Sequence, residues 1–326
     1  MRRFSLPALF MFSLAVLLAA PFIGAQNIPL SSLFGSADFS TMRLLWDLRV
    51  PRVLLGWATG ATLALCGMIF QALFRNSLAS PDMLGVSTGA ALGAVVYIRI
   101  GYVFTVFGLI SGLSCAAFAG AFLATFAIYA AGSLRRSDMS SAALLLAGVA
   151  MSFLFGSLNM IIQYSSGYVD TFRMMRWSMG GLQTVGFSSV LAALPALVII
   201  FAIAYVSGPE LDLLVCGEEI AASRGVSVEK LRRLIFLSVS LVIGINVAIC
   251  GPIGFVGLLV PHICRRLVGS SHRRLAVASL LFGGAFLVLC DIAARVLWAP
   301  AEMPVGILTS CIGSIFFLWL LLKVKG

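Results

Sequence analysis

Long apolar stretches alternate with short polar breaks along almost the entire chain. Ten of them approach the roughly 20 residues that a helix needs to cross a bilayer: 6–24, 52–74, 84–100, 103–131, 142–164, 188–206, 234–250, 253–268, 276–298 and 304–323. The eighth is short and disturbed by Pro252 and Pro261. No period-two alternation of the kind that marks a barrel strand occurs. The pattern predicts an all-α membrane protein of about ten transmembrane helices. Arg2, Arg3 and the following apolar run imitate a signal peptide. The run from Phe4 to Ile23 is longer than a usual signal core, however, and retaining it makes the span count even.

One polar island interrupts this pattern, from Ser207 to Arg233. It carries five of the 12 acidic and four of the 22 basic residues and is flanked by apolar runs on both sides. A loop so charged belongs in water. Glu218 to Arg224 is long enough for two helical turns, and Gly225 stands where a glycine in the left-handed conformation ends such a helix. A short helix on an aqueous loop of a many-spanning protein suits contact with a separate motor. The chain is therefore one transmembrane permease domain, 1–326, with a cytoplasmic coupling loop at about 207–233.

Composition agrees. The chain is 61% hydrophobic and 10% charged, with a mean hydropathy of +1.08. Soluble domains carry about 25% charged residues, so a soluble fold is excluded. The net charge of +10 resembles a nucleic-acid signal, but its placement gives another account. With both termini cytoplasmic, the inside positions hold fifteen basic residues and the outside positions seven, as the positive-inside rule requires. No nucleic-acid partner is implied. The seven cysteines form no CxxC pair, and six lie in apolar runs as small buried residues.

Internal order is weak. Ala64 to Ile69 resembles Ala248 to Ile253, the second spans of two five-span halves, which hints at a 5+5 inverted repeat. Gly56 and Gly60, and Gly85, Gly89 and Gly93, recur at the spacing that lets membrane helices approach closely.

Candidate chemistry is mostly absent. There is no Gly-Lys dipeptide, so no P-loop for ATP. Gly85 to Gly89 matches GxSxG, but it opens a membrane helix and lacks the strand and histidine partner of a nucleophile elbow. His262 and His272 have no third ligand nearby, and His262, next to Pro261, is placed to satisfy a carbonyl freed by the proline. No catalytic residue, metal site or cofactor is expected. Asp291, the one carboxylate well inside a span, has Arg295 one turn later. Arg49-Val50-Pro51-Arg52 puts two guanidiniums around a proline at the outer start of the second span, fit for interfacial anchoring or for an acidic docking partner. Phe172 to Gly181 follows the fifth span; it is too short to cross, and could gate a cavity or merely connect. Asn159 and Gln163 share one helix face near it, either lining a passage or bonding to neighbouring helices.

Several of these segments together resemble the FecCD family of bacterial permeases for iron siderophores, haem and vitamin B12. Arg49-Val50-Pro51-Arg52 is similar to its R-x-P-R motif. Gln71, Arg75, Asn76, Leu78, Ala79, Pro81, Leu84, Gly85 and Val86 fall where its signature reads Q-x-x-x-R-N-P-L-A-x-P-x-x-L-G-V. Leu145 to Ala150, Trp177 to Gly181, Gly217 to Glu219 with Gly225-Val226, Gly254 to Leu258 with Pro261-His262, Asp291 with Ala294-Arg295, and Glu302 to Gly306 also match in order. Ser77 and Ser314 stand where the family usually has proline, and Arg224 where it has leucine.

The resemblance implies a type II ABC importer permease in the bacterial inner membrane, working by alternating access at a dimer interface. Its partners would be a second permease subunit, a homodimer being favoured, two cytoplasmic ATP-binding subunits and a periplasmic binding protein. Arg49, Arg52 and Arg295 would dock the binding protein. Glu218, Glu219, Ala221, Ala222, Arg224 and Gly225 would couple to the ATPase. Asn76, Leu78, Asn159, Gln163, Met174 and Met175 would belong to the pathway or its gates. A ferric siderophore is the favoured cargo, with haem and cobalamin in the same class. The alternative is a secondary transporter or channel without a motor, against which the polar island and the lack of a charged relay both argue.

Overall fold

The computed structural model describes residues 5–24, 38–81, 85–102, 104–106, 110–133, 141–297, 299 and 301–324. Arg2, Arg3, Arg135, Arg136 and Lys325 of the charge argument lie outside the described residues, as do Asp82, Met83 and Leu84 of the signature. Helices run in the order α1 (Leu6–Ala19), α2 (Phe39–Arg43), α3 (Val50–Leu73), α4 (Val86–Ile100), α5 (Gly112–Ser133), α6 (Ser141–Tyr164) and α7 (Tyr168–Ser178). There follow α8 (Ser188–Val206), α9 (Gly208–Cys216), α10 (Glu218–Ser223), α11 (Val228–Cys250), α12 (Val256–Val268), α13 (His272–Val296) and α14 (Val305–Val324). Each of the ten apolar stretches holds a helix. Among the described residues six helices are long and apolar enough to cross a membrane, namely α3 with its N-terminal extension, α5, α6, α8, α11 and α13; α1, α4 and α14 are shorter apolar helices.

Boundaries moved where local chemistry overrode hydropathy. The stretch 103–131 becomes helical only at Gly112. Thr105–Val106 and Ile110–Ser111 pair as a two-residue antiparallel ladder, and the Ser111 hydroxyl then accepts the Ser114 N–H at 3.1 Å, an N-cap that fixes where α5 starts. In the other direction, α11 begins at Val228, well inside the polar island, with Glu229 in the first turn where a carboxylate meets the positive helix end. The echo of 64–69 in 248–253 does not extend to conformation. The first is mid-helix in α3, whereas the second ends α11 at Cys250, before Pro252.

The core gathers around α3, of which nearly every residue is buried. Helix α13 lies along it where Gly60 faces Gly283; a Cβ on either would collide with the other's carbonyl. Gly89 and Gly120 do the same for α4 and α5. Because lipid supplies no hydrophobic drive between helices, such close backbone approach is what holds them together.

Two prolines of this bundle, Pro51 and Pro261, leave carbonyls without their helical N–H, and tertiary contacts answer both. Pro51 frees Asp47 in the π-helical turn Leu44–Arg49; the Gly186 N–H bonds that oxygen at 2.7 Å. Pro261 frees Gly257, and the amide of Gln71 reaches it at 3.4 Å and Leu258 O at 3.2 Å. This corrects the expectation for His262. Its ring packs edge-on against Phe316 and Phe317 instead.

Candidate functional site

At one end of the bundle the polar island folds as two short helices clamped to two spans. Leu211 and Leu214 of α9 are buried beneath it. Asp212 accepts the backbone N–H of His272 at 2.9 Å and its Nδ1 at 2.5 Å, placing a carboxylate on the N-terminus of α13. Glu218 accepts from Arg232 of α11 at 2.8 Å, and Arg232 is itself buried. Helix α10 closes in a Schellman motif: Val226 N–H bonds Ala221 O and Gly225 N–H bonds Ala222 O, each at 3.0 Å, with Gly225 at φ +85°. The glycine therefore sits where the sequence put it.

The six residues grouped by sequence as an ATPase contact separate in space. Ala221 is fully buried and Glu218 is tied to Arg232. Glu219, Ala222, Arg224 and Gly225 are exposed, together with Ile220, an aliphatic side chain 49% exposed at the polar end. Glu218 ties α10 to α11, and Asp212 ties α9 to the start of α13. Near the same end, Asn76 and Leu78 form the turn after α3, where Asn76 Oδ1 accepts the Leu78 N–H at 2.9 Å. Both are exposed.

The opposite end carries an ion network. Arg52 donates to both oxygens of Asp291 at 2.9–3.2 Å and to Glu302 at 2.6 Å. Arg295 meets Asp291 at 3.0 Å. Arg49 donates to the Pro21 carbonyl at 3.1 Å. Asp291 is only 2% exposed, so it is the hub on which α3 and α13 converge. Arg49, Arg52, Arg295 and Glu302 share the wall of one recess of about 580 Å³. Three guanidiniums and one carboxylate line it, with buried Asp291 behind them, which leaves the recess cationic. The sequence paired Asp291 with Arg295 and singled out Arg52 and Glu302 separately, without joining either to this network; Arg52 lies 239 residues from Asp291 and 250 from Glu302. A signal was present in the parity of the spans, which puts all four residues at the same end.

A second cavity of about 630 Å³ opens beside α7, with Arg52 and Glu302 on its wall. Val169, Phe172, Arg173, Arg176 and Trp177 form its α7 side, a stripe at helical spacing. Met174 is fully buried away from that stripe and Met175 is exposed. Gln163 is half-buried, and its carbonyl accepts from Thr171 at the start of α7. Asn159 is 8% exposed and its amide reaches Thr88 O of α4 at 3.4 Å. A cysteine at 159 is accordingly expected to resist a water-soluble thiol reagent and one at 175 to react with it. The measurement needs a background with the exposed Cys216 and Cys311 changed to serine. Equal labelling at both positions would place Asn159 on an open passage.

A family model described as the FecCD transport family matches residues 9–323. A cobalamin import system permease protein of Halobacterium salinarum is 42% identical over 278 residues, covering 85% of this chain and 73% of that protein. A vitamin B12 import system permease protein of Yersinia enterocolitica is 37% identical over 286 residues, covering 86% and 82%. A metal-chelate type ABC transporter solved in an inward-facing conformation superposes with a TM-score of 0.86 at 29% identity over 98% of both chains. PsaBC from Streptococcus pneumoniae, at 16% identity and a TM-score of 0.56 over 85% of this chain and 95% of that one, shares the fold alone.

Proposed function

The chain belongs to the FecCD transport family, and from that premise we propose that it is the inner-membrane permease subunit through which an ATP-driven importer moves a bulky metal chelate. The observation that carries this reading is the braced lever at the polar end. The two short helices α9 and α10, tied by Asp212–His272 to α13 and by Glu218–Arg232 to α11, with the outer face of α10 exposed, convert a push from outside into motion of those two spans. ATP hydrolysis belongs to separate cytoplasmic subunits seated on Glu219, Ala222, Arg224 and Gly225. The polar end is then cytoplasmic, as are both termini, in keeping with the positive-inside bias.

The opposite end faces the periplasm. Its cationic recess around Arg49, Arg52 and Arg295 suits an acidic surface of a cargo-delivering binding protein, though the three side chains are largely withdrawn from solvent. Helix α6 supports a second copy of the chain as partner. Only 11% of its apolar window is buried within one protomer, so lipid or a second permease must cover the rest. We place the passage between two such copies. The cobalamin and vitamin B12 permeases among the relatives shift the favoured cargo from a ferric siderophore towards cobalamin, with haem in the same class.

Reconstitution in liposomes with ATP-binding subunits and a binding protein tests this. Chelate uptake is expected to need all three components and ATP. Uptake driven by an ion gradient, with no motor present, would instead establish a secondary transporter.

A further inference from the structure

We propose that Arg173 and Arg176 of α7 form a subsite that holds an anionic oxygen group of the cargo, a phosphate or a carboxylate, so that this permease selects chelates bearing one. The inference rests on the permease reading above, and it adds a residue-level reason for cargo choice.

The cavity beside α7 has the size of a small-molecule site, since such pockets run from about 300 to 1,000 Å³. Its wall holds three arginines and one acid. Arg52 and Glu302 answer each other at 2.6 Å. Arg173 and Arg176 are exposed, and among the described residues neither has an ion-pair or side-chain hydrogen-bond partner. Asp170, one turn before Arg173, lies beyond ion-pair distance of it. Two positive charges are therefore left facing the cavity without a counter-charge.

Their placement is specific. Arg173 and Arg176 are three apart and share the helix face that lines the cavity, flanked on it by Phe172 and Trp177. The helix dipole accounts for Arg176, in the last turn of α7, but not for Arg173, which lies before it. Guanidinium groups bind phosphate and carboxylate through paired N–H donors, and the two aromatic rings offer a face to the apolar body of a chelate. Gln183 and Ser114 add neutral polar groups to the same wall. A concave pocket with aromatic sides fits a small ligand, whereas the separate recess around Arg49 and Arg295 is the one suited to an acidic protein surface.

Two cargo chemistries share the required group. A nucleotide-bearing corrinoid offers its phosphodiester, and haem offers its propionate carboxylates. The test compares the wild type with Arg173→Gln/Arg176→Gln in the reconstituted importer, supplied with cyanocobalamin, cobinamide (the same ring without the phosphate), haem, or a neutral ferric trihydroxamate. The double variant is expected to lose about ten- to a hundredfold of the uptake of cargo bearing the anionic group. Cobinamide and the neutral hydroxamate should change by less than about twofold. Whichever of cyanocobalamin and haem shows the loss identifies the source of the anion. Equal loss for every cargo, no loss at all, or a loss traced to weaker docking of cargo-free binding protein would each overturn the subsite.

A second readout needs no transport. Titrating the detergent-solubilised permease with haem and with cyanocobalamin should quench Trp177 fluorescence, judged against Trp177→Phe, and the double variant should weaken that binding by the same factor. Intact titration with no ATP-driven uptake would sink the permease reading and keep the subsite. Normal uptake without discrimination between wild type and variant would do the reverse.

Discussion

Replacing Asp291 with asparagine is expected to destabilise the folded protein by about 3–5 kcal/mol, the cost of leaving a buried charge without its partner. Asparagine preserves the shape, so the loss isolates the charge. Asp291 is 2% exposed and is the shared acceptor of Arg52 and Arg295, whose side chains are 14% and 5% exposed. Without it two guanidiniums face each other across the α3–α13 contact, with only Glu302 to answer them. Glu302 is 44% exposed, so its pair with Arg52 is weakened by solvent, and Glu302→Gln should cost at most about 1 kcal/mol. Thermal unfolding of the detergent-purified permease measures both. Changing Arg52, Asp291 and Arg295 together to methionine or leucine should recover most of the stability lost in the single variant, because an apolar replacement of a whole buried ion network is often neutral. A shift of Asp291→Asn no larger than that of Glu302→Gln would show that the network does not hold the two helices.

Altering the charges on the outer face of α10 should abolish most ATP-driven uptake while leaving the permease as stable as before. Glu219→Arg combined with Ala222→Glu alters two exposed positions and touches neither the Glu218–Arg232 pair nor buried Ala221. Coupling between distant sites is generally about 1–3 kcal/mol, so losing it should lower transport by about 5- to 150-fold. Glu218→Arg is a different experiment. It sets a second cation beside buried Arg232 and should weaken the hold of α10 on α11 before any partner is involved. Comparing uptake with thermal stability separates the two: the outer-face variant should move only uptake, and Glu218→Arg should move both. Normal uptake in the outer-face variant would remove α10 from the motor contact.

The recess and the cavity at the other end share Arg52 and Glu302 on their walls. Under the proposed function an acidic partner approaching Arg52 competes with Glu302 for one guanidinium, and Glu302 also borders the chamber that receives cargo. Partner docking and cargo delivery thus meet at a single residue pair, a geometry invisible in any local stretch of chain.

Much of the molecule was legible from sequence because the relevant terms are local. Whether a segment enters a bilayer depends on transfer free energies summed over about 20 consecutive residues, so all ten apolar stretches hold helices. The end of α10 at Gly225 was legible for the same reason, since a left-handed C-terminal residue is a matter of one position and its neighbours. Family membership followed from short motifs in fixed order. Tertiary structure alone decided how the charged groups are used. Arg52 finds Asp291 and Glu302 across more than two hundred residues, Asp212 finds His272 across 60, and Gln71 rather than His262 reaches the carbonyl freed by Pro261. Ion pairs and buried hydrogen bonds depend on distances of a few ångströms between groups far apart in sequence. Hydropathy and spacing name the candidates for such pairs, and only the packed helices choose among them.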